Sequence, residues 1–210
     1  MNRKHIYLVR HGESLGNIGF QATWDSTLSP NGRLQASFCA NFLQRETSGD
    51  AQVFSSPFLR CLQTAQFISD KIPGGLTIEP LLHEFYSENL FPGKTRFPSL
   101  KEIASSFPGV KGDFNDSDWM PQKYESSEDI SIRAAILRNS ILAQDGRLAN
   151  SSNNTILVSH WAFIATLAQT LCSEKMDTVS NCSVTKISME AGKFRAEYIN
   201  NTSFIDNNHI

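Results

Sequence analysis

Few of the usual markers of compartment, cofactor or partner are present in this chain. Cysteine is scarce, with 4 in 210 residues, and Cys39, Cys61, Cys172 and Cys182 form no C-x-x-C pair. Zinc clusters and dense disulfide frameworks need closely spaced cysteines, so neither is expected; free, mostly buried thiols in a reducing cytoplasm are. Neither sign of charge is in large excess. A net charge of −2 gives none of the basic field that nucleic acid or an anionic membrane would require. No apolar run approaches the roughly 20 residues of a membrane span, and the run at residues 6–9 is too short for a signal-peptide core. The expectation is a cytoplasmic protein with neither nucleic acid nor membrane as a partner. Internal repeats and low-complexity tracts are missing as well. What remains is ordinary: 40% hydrophobic and 19% charged residues over 210 positions suit one globular domain, residues 1–210, with room for an insertion.

Apolar, β-leaning runs alternate with helical patterns along the chain. Residues 5–9 read as a buried strand that stops at Arg10-His11-Gly12. Ser29-Pro30 opens a helix over 29–46, with Leu34, Phe38 and Phe42 as its apolar face. A second strand at 52–55 is followed by Ser56-Pro57, which predicts a helix start with Leu59, Leu62, Ala65 and Ile68 inward. Thr77 and Ile78 suggest a third strand. Residues 155–159 form the clearest strand, ending at His160 and leading into a helix over 161–171. Residues 128–145 read as a helix with Ile132, Ala135, Ile136 and Ile141 apolar, and 183–189 with 194–199 as a hairpin around Ala191-Gly192. The stretch 85–128 breaks the pattern with Pro92, Pro98, Pro108 and Pro121 and reads as an insertion or lid, its aromatics either packing or lining a pocket. The asparagine-rich tail, 200–210, is expected to fray. This alternation predicts an α/β, three-layer sandwich with a largely parallel central sheet and helices on both faces.

Ligands of such sheets bind beyond the carboxyl ends of the strands. Three predicted strand ends bring polar residues there: Arg10 and His11 from the first, Arg60 by way of Ser56-Pro57 from the second, and His160 from the last. Two arginines, two histidines and several helix N-termini at one edge describe a phosphate site. An imidazole with one bare nitrogen can attack phosphorus, and Gly12 would let backbone approach the phosphate. A leaving alkoxide needs a proton. Glu84 follows the third strand in an apolar setting that can raise a carboxyl pKa and make it the acid, although Glu79 and Glu88 lie close by in sequence.

These residues also carry a resemblance. Residues 8–14 (LVRHGES) with Asn17 resemble the signature of the histidine phosphatase superfamily, the phosphoglycerate-mutase-like fold. Residues 28–36 (LSPNGRLQA), 55–65 (SSPFLRCLQTA), Leu82-His83-Glu84, Glu125-Ser126 with Arg133, and Val158-Ser159-His160 are similar to the family's later segments, in the same order. The resemblance implies that His11 becomes phosphorylated, that Arg10, Arg60 and His160 hold the phosphate, that Glu84 donates the proton, and that Ser14 and Asn17 assist. It implies no metal and no cofactor, since arginine supplies the positive charge. Arg133 is expected to make a structural ion pair, and His83 to be a neighbour rather than a catalyst. Trp161 stands where the family often has glycine, and its indole could wall the phosphate pocket or enter the core. Stretches typical of the mutases are not found: the corresponding places read Gln21-Ala22-Thr23-Trp24-Asp25, residues 83–87 and His160-Trp161-Ala162. A phosphomonoesterase acting on a phosphorylated small molecule is therefore expected, with a phosphoprotein substrate less favoured. The alternatives are a phosphoglycerate-mutase-type transfer and a catalytically silent interaction module. Oligomeric state is not indicated.

Overall fold

The computed structural model describes residues 3–20, 24–93, 97–113, 119–143, 148 and 153–205. Among them the chain order is β1 (Lys4–Arg10), α1 (Pro30–Glu46), β2 (Gln52–Ser55), α2 (Leu59–Ser69), β3 (Leu76–Ile78), a 3-10 turn (Pro80–Leu82), α3 (Leu100–Ser105), α4 (Ser127–Leu142), β4 (Asn154–Ser159), α5 (Trp161–Cys172), β5 (Val184–Glu190) and β6 (Lys193–Asn201). The strands form one sheet in the order β3-β2-β4-β1-β5-β6. β3, β2, β4 and β1 run parallel, while β5 is antiparallel to β1 and β6 to β5. Strand alternation splits the core in two. Ile6, Leu8 and Leu157 pack with Leu137 of α4 and Phe163 of α5; Tyr7, Val9, Ile156 and Val158 pack with Ala40 of α1 and Leu62 of α2. Helices thus cover both faces of a largely parallel sheet, the expected three-layer α/β arrangement.

Local signals account for several boundaries. The Ser29 side chain accepts from the Gly32 N–H, and Pro30 occupies the first helical position of α1. Ala191 and Gly192, both at positive φ, make the tight turn between β5 and β6. Cys39, Cys61 and Cys182 are buried free thiols and Cys172 is a partly buried one. Among the described residues no helix is long and apolar enough to cross a membrane.

Three helix expectations need correction. Ser56-Pro57 does not cap α2. That helix starts at Leu59 behind Phe58, with no cap from its own side chain. Asp25, distant in sequence, accepts the Leu59 N–H at 2.7 Å instead. In α1 the buried face is Gly32, Ala36, Cys39, Ala40 and Leu43, while Leu34 is exposed. Small residues face inward because α1 lies close against the loop after β1. Phe42 packs on the rim, stacked on Phe204 at 4.3 Å. In α4 the inward stripe is Ile130, Arg133, Ala134, Leu137 and Ile141, leaving Ile132, Ala135 and Ile136 at the surface. A buried ion pair draws Arg133 inward and rotates the stripe with it.

The tail does not fray from residue 200: β6 runs to Asn201, and Phe204 and Ile205 pack on the core. Residues 206–210, with His209, lie outside the described residues, as do 94–96 and 114–118 of the 85–128 stretch and 144–145 of the helix predicted over 128–145. Within that stretch Tyr86, Phe91, Phe97 and Trp119 form an aromatic cluster, and all but Tyr86 lie within 5.6 to 6.3 Å of the Phe58 ring. This cluster seats the segment on the start of α2, beside the carboxyl ends of the strands.

Candidate active site

Sheet register builds the site. Arg10 of β1 lies opposite Ser159 of β4, so the next residues, His11 and His160, emerge side by side. Their rings are 5.3 Å apart and inclined at 61°. The His11 N–H donates to the Ser159 carbonyl at 3.0 Å. Ser55 of β2 lies opposite Val158, which brings Ser56 to the same edge. Its hydroxyl is 2.9 Å from His160 Nε2. From the second residue of α2, Arg60 reaches across all of these.

The protonation state of His11 follows from its partners. Nδ1 is 2.8 Å from the Gly12 carbonyl, which can only accept, so Nδ1 carries the proton. Nε2 is therefore bare and accepts from Arg60 Nε at 3.2 Å. Burial (the residue is 2% exposed) together with Arg60, His160 and Arg10 holds this imidazole well below its usual pKa, so it is uncharged at neutral pH. Arg60 is multiply held: Nη2 lies 3.1 Å from His160 Nδ1 and 3.5 Å from Glu84 Oε2, Nη1 donates to the Trp24 carbonyl at 3.1 Å, and the guanidinium sits over the Phe58 ring. His160 is fully buried, with Nδ1 also 3.2 Å from Glu84 Oε2. Burial lowers its pKa to about 4, with Arg60 acting in the same direction against the pull of Glu84.

Glu84 corrects an expectation. Burial alone would raise its carboxyl, as the apolar sequence context suggests. His160 and Arg60 outweigh burial and hold it down at about 2. In the free protein Glu84 is thus a carboxylate lodged against Arg60 and His160. The segment that carries it is braced from behind. Arg133 donates to the carbonyls of Leu81 and His83 at 2.8 and 2.9 Å, and Ser159 Oγ donates to that of Leu82 at 2.7 Å. Arg133 makes the expected ion pair, a two-pronged contact with Glu125 at 2.9 Å on each arm. His83 Nδ1 donates to the Glu84 carbonyl at 2.7 Å, and burial leads in pushing its pKa down to about 3, so it is a neutral neighbour.

The loop after β1 is held by residues that the sequence singled out for other reasons or not at all. Gly12 serves a backbone crossing: a Cβ there would stand 2.6 Å from the Gly32 carbonyl oxygen, and one on Gly32 would stand 1.9 Å from that of Glu13. The glycine expected to approach phosphate is needed for this crossing. Glu13 accepts from Ser29 Oγ at 2.5 Å, and Gly12 N–H donates to Thr64 Oγ1 at 3.0 Å. Ser14 and Asn17 bond to one another, with Asn17 Oδ1 accepting from the Ser14 amide at 3.0 Å. Asn181 donates to the His11 carbonyl at 3.0 Å, and Arg10 Nη1 donates to that of Val179 at 2.6 Å. Asp25, Ser56, Thr64 and Asn181 were not predicted as site residues. Ser56 and Thr64 lay within a segment already singled out, and Asp25 within the stretch compared with the mutases, but no local signal gives Asp25 or Asn181 its place at the site.

Above these groups opens a cleft of about 750 Å³. Arg10, His11, Ser14, Asn17, Arg60, Glu84 and Trp161 all line it; His160 lies behind Arg60 and Glu84. The Trp161 indole walls the cleft and does not enter the core. Phe85 and Phe91 line the cleft, while Tyr86, Phe97 and Trp119 pack the aromatic cluster.

The family model of the histidine phosphatase superfamily (branch 1) matches residues 6–202. The chain belongs to this superfamily. As a histidine phosphatase superfamily member it falls among enzymes of the phosphatase or mutase type. It is 27% identical, over 94% of its length and 95% of the relative's, to a Hydrogenobacter thermophilus protein provisionally named phosphoserine phosphatase 2. It is 26% identical, over 87% and 83%, to an Erwinia tasmaniensis protein provisionally named phosphoglycerate mutase GpmB. In fold it is similar to mycobacterial glucosyl-3-phosphoglycerate phosphatase in complex with VO3, with a TM-score of 0.68 and 23% identity over 95% of this chain and all of that one. Of the stretches compared above with the mutases, residues 21–23 lie outside the described residues.

Proposed function

We propose that the protein is a phosphomonoester hydrolase working through a phosphohistidine on His11. One observation carries this reading: a buried, uncharged imidazole whose Nδ1–H is tied to a carbonyl at 2.8 Å and whose bare Nε2 faces a guanidinium at 3.2 Å. Nε2 attacks phosphorus and an N–P bond forms as the ester P–O bond breaks. The electron pair leaves on the ester oxygen, which takes the proton of the Glu84 carboxyl. Water then attacks phosphohistidine and gives a proton to Glu84. The N–P pair returns to Nε2 and phosphate departs. Arg10 and Arg60 face the charge on the equatorial oxygens, so the proposed reaction needs no metal.

Glu84 must be protonated for the first step, and its position suggests how. A bound phosphoryl group competes for the N–H groups of Arg60 and His160 that hold the carboxylate down. With those withdrawn, burial dominates and raises the carboxyl pKa. The same displacement uncovers His160 as a phosphate ligand. Hydrolysis is preferred to mutase-type transfer because residues 83–87 and 160–162 depart from the mutase pattern. A cleft of about 750 Å³ is also of small-molecule size, which favours a metabolite over a phosphoprotein. The 85–128 segment is proposed to set specificity.

Brief incubation with 32P-labelled p-nitrophenyl phosphate and alkaline quenching should trap acid-labile, base-stable label on His11. His11→Ala should lower kcat by about 10³-fold or more. Equal turnover in both proteins with no labelled histidine would overturn the reading.

A further inference from the structure

We infer that the alcohol portion of the substrate is uncharged and apolar, and that the cleft discriminates against phosphate esters bearing a second anion. This rests on the phosphatase reading of His11 and deepens it. Away from the phosphate-facing groups the cleft is walled by Trp24, Phe85, Leu90, Phe91, Pro92 and Trp161. Among its described lining residues the permanent cations are Arg10 and Arg60, both of which the phosphoryl group requires. Each has a further arm committed to backbone, Arg10 Nη1 to Val179 O at 2.6 Å and Arg60 Nη1 to Trp24 O at 3.1 Å. The other ionisable groups among the described lining residues are the uncharged imidazole of His11 and the acid Glu84. Asn17, Ser26 and Asn89 can hydrogen-bond a hydroxyl group but cannot neutralise a charge.

Among the described lining residues, a carboxylate on the leaving group would lose water and meet no cation beyond Arg10 and Arg60, which the phosphoryl group occupies. A hydrocarbon or aromatic group would instead cover apolar wall. Leu90 is 50% exposed and Trp161 49% exposed, whereas Phe91, which packs against the same cleft from the core, is 2% exposed. The two exposed side chains present apolar surface that a ligand can cover. Trp24 is edge-on to Phe58 and Phe97, at 5.7 and 4.7 Å, which makes it a fixed wall.

Steady-state kinetics with 2-phenylethyl phosphate, glycerol 3-phosphate and 3-phosphoglycerate test this, since all three release a primary alcohol and differ little in intrinsic reactivity. The expected order of kcat/KM is phenylethyl first, glycerol next and phosphoglycerate last, with about tenfold between successive substrates. Trp161→Ala should raise KM for phenylethyl phosphate about tenfold, and more than for glycerol 3-phosphate. Leu90→Lys, at an exposed position that does not support the fold, should lower the phenylethyl-to-phosphoglycerate ratio about tenfold by placing a cation on that wall. Equal rates on all three esters, or a preference for 3-phosphoglycerate in the unmodified protein, would overturn the inference while leaving the phosphatase reading intact. No turnover of any ester and no labelled His11 would sink both.

Discussion

One side chain and one glycine illustrate how much of the chemistry rests on single atoms. Glu84 is proposed as the proton donor, yet in the free protein it is ionised against Arg60 and His160. Glu84→Gln should therefore act selectively. Turnover of an alkyl phosphate, whose leaving oxygen needs a proton, should fall by about 10²-fold or more, while p-nitrophenyl phosphate, whose leaving group does not, should lose far less. Equal losses on the two substrates would remove Glu84 from the acid role. Gly32 is the structural counterpart. A methyl group there would stand 1.9 Å from the Glu13 carbonyl oxygen, so Gly32→Ala must push the loop bearing His11. A loss of about 3 kcal/mol in chemical denaturation, with reduced activity, is expected. At this scale the convergence of His11, Arg10, Arg60, His160 and Glu84 on one sheet edge was legible, because strand-end positions and motif spacing are local properties. The state of Glu84 was not, since its neighbours come from α2 and from the end of β4.

Elements decide where those atoms stand. α4 reaches the site through Arg133, whose guanidinium joins Glu125 to the backbone of residues 81–83 and lies 4.3 Å from the centre of the Phe163 ring. Arg133→Met should leave the buried Glu125 carboxylate without its cation, held by the Tyr86 N–H alone, destabilising the protein by about 3 kcal/mol. Adding Glu125→Leu should recover much of the stability but not kcat, because the carbonyls that brace Glu84 would still lack their donor. Stability by denaturation and kcat by assay separate the two effects; recovery of both together would show that the brace is dispensable. The misassigned faces of α1 and α4 share one cause. Periodicity weights side chains by hydrophobicity, whereas packing selected small residues in α1 and a paired arginine in α4. The cap of α2 was hidden for a related reason, since Asp25 reaches Leu59 from a separate segment.

Across the whole molecule, burial of uncharged histidines ties stability to pH. His83 and His160 are held at about 3 and about 4, and His11 also lies well below its usual value, mainly through burial. In the unfolded chain each titrates near pH 6.5. Between pH of about 6.5 and 4 the unfolded chain binds protons that the folded chain excludes, so stability should fall as pH is lowered through that window. Asp25, raised to about 6 by burial, opposes this, but it is one group against three. Glu84 adds stability that is present above its unfolded value near 4.3 and is lost as pH falls toward about 2. The thermal midpoint should therefore drop between pH 7 and pH 4.5; a flat or rising midpoint would contradict neutral, buried imidazoles. The proposed charge supply is a property of the assembled site too: activity should survive exhaustive dialysis against EDTA, and loss restored by a divalent cation would refute it.

From sequence alone came the layer order, the strands that end at His11 and His160, and the residue types able to transfer a phosphoryl group. These depend on short-range periodicity and on motifs within a few residues of each other. Only the tertiary structure decided which nitrogen of His11 is bare, that Glu84 lies against Arg60 and His160, and that apolar side chains wall the cleft. Those outcomes depend on burial and on charges brought together from distant parts of the chain, which no local pattern encodes.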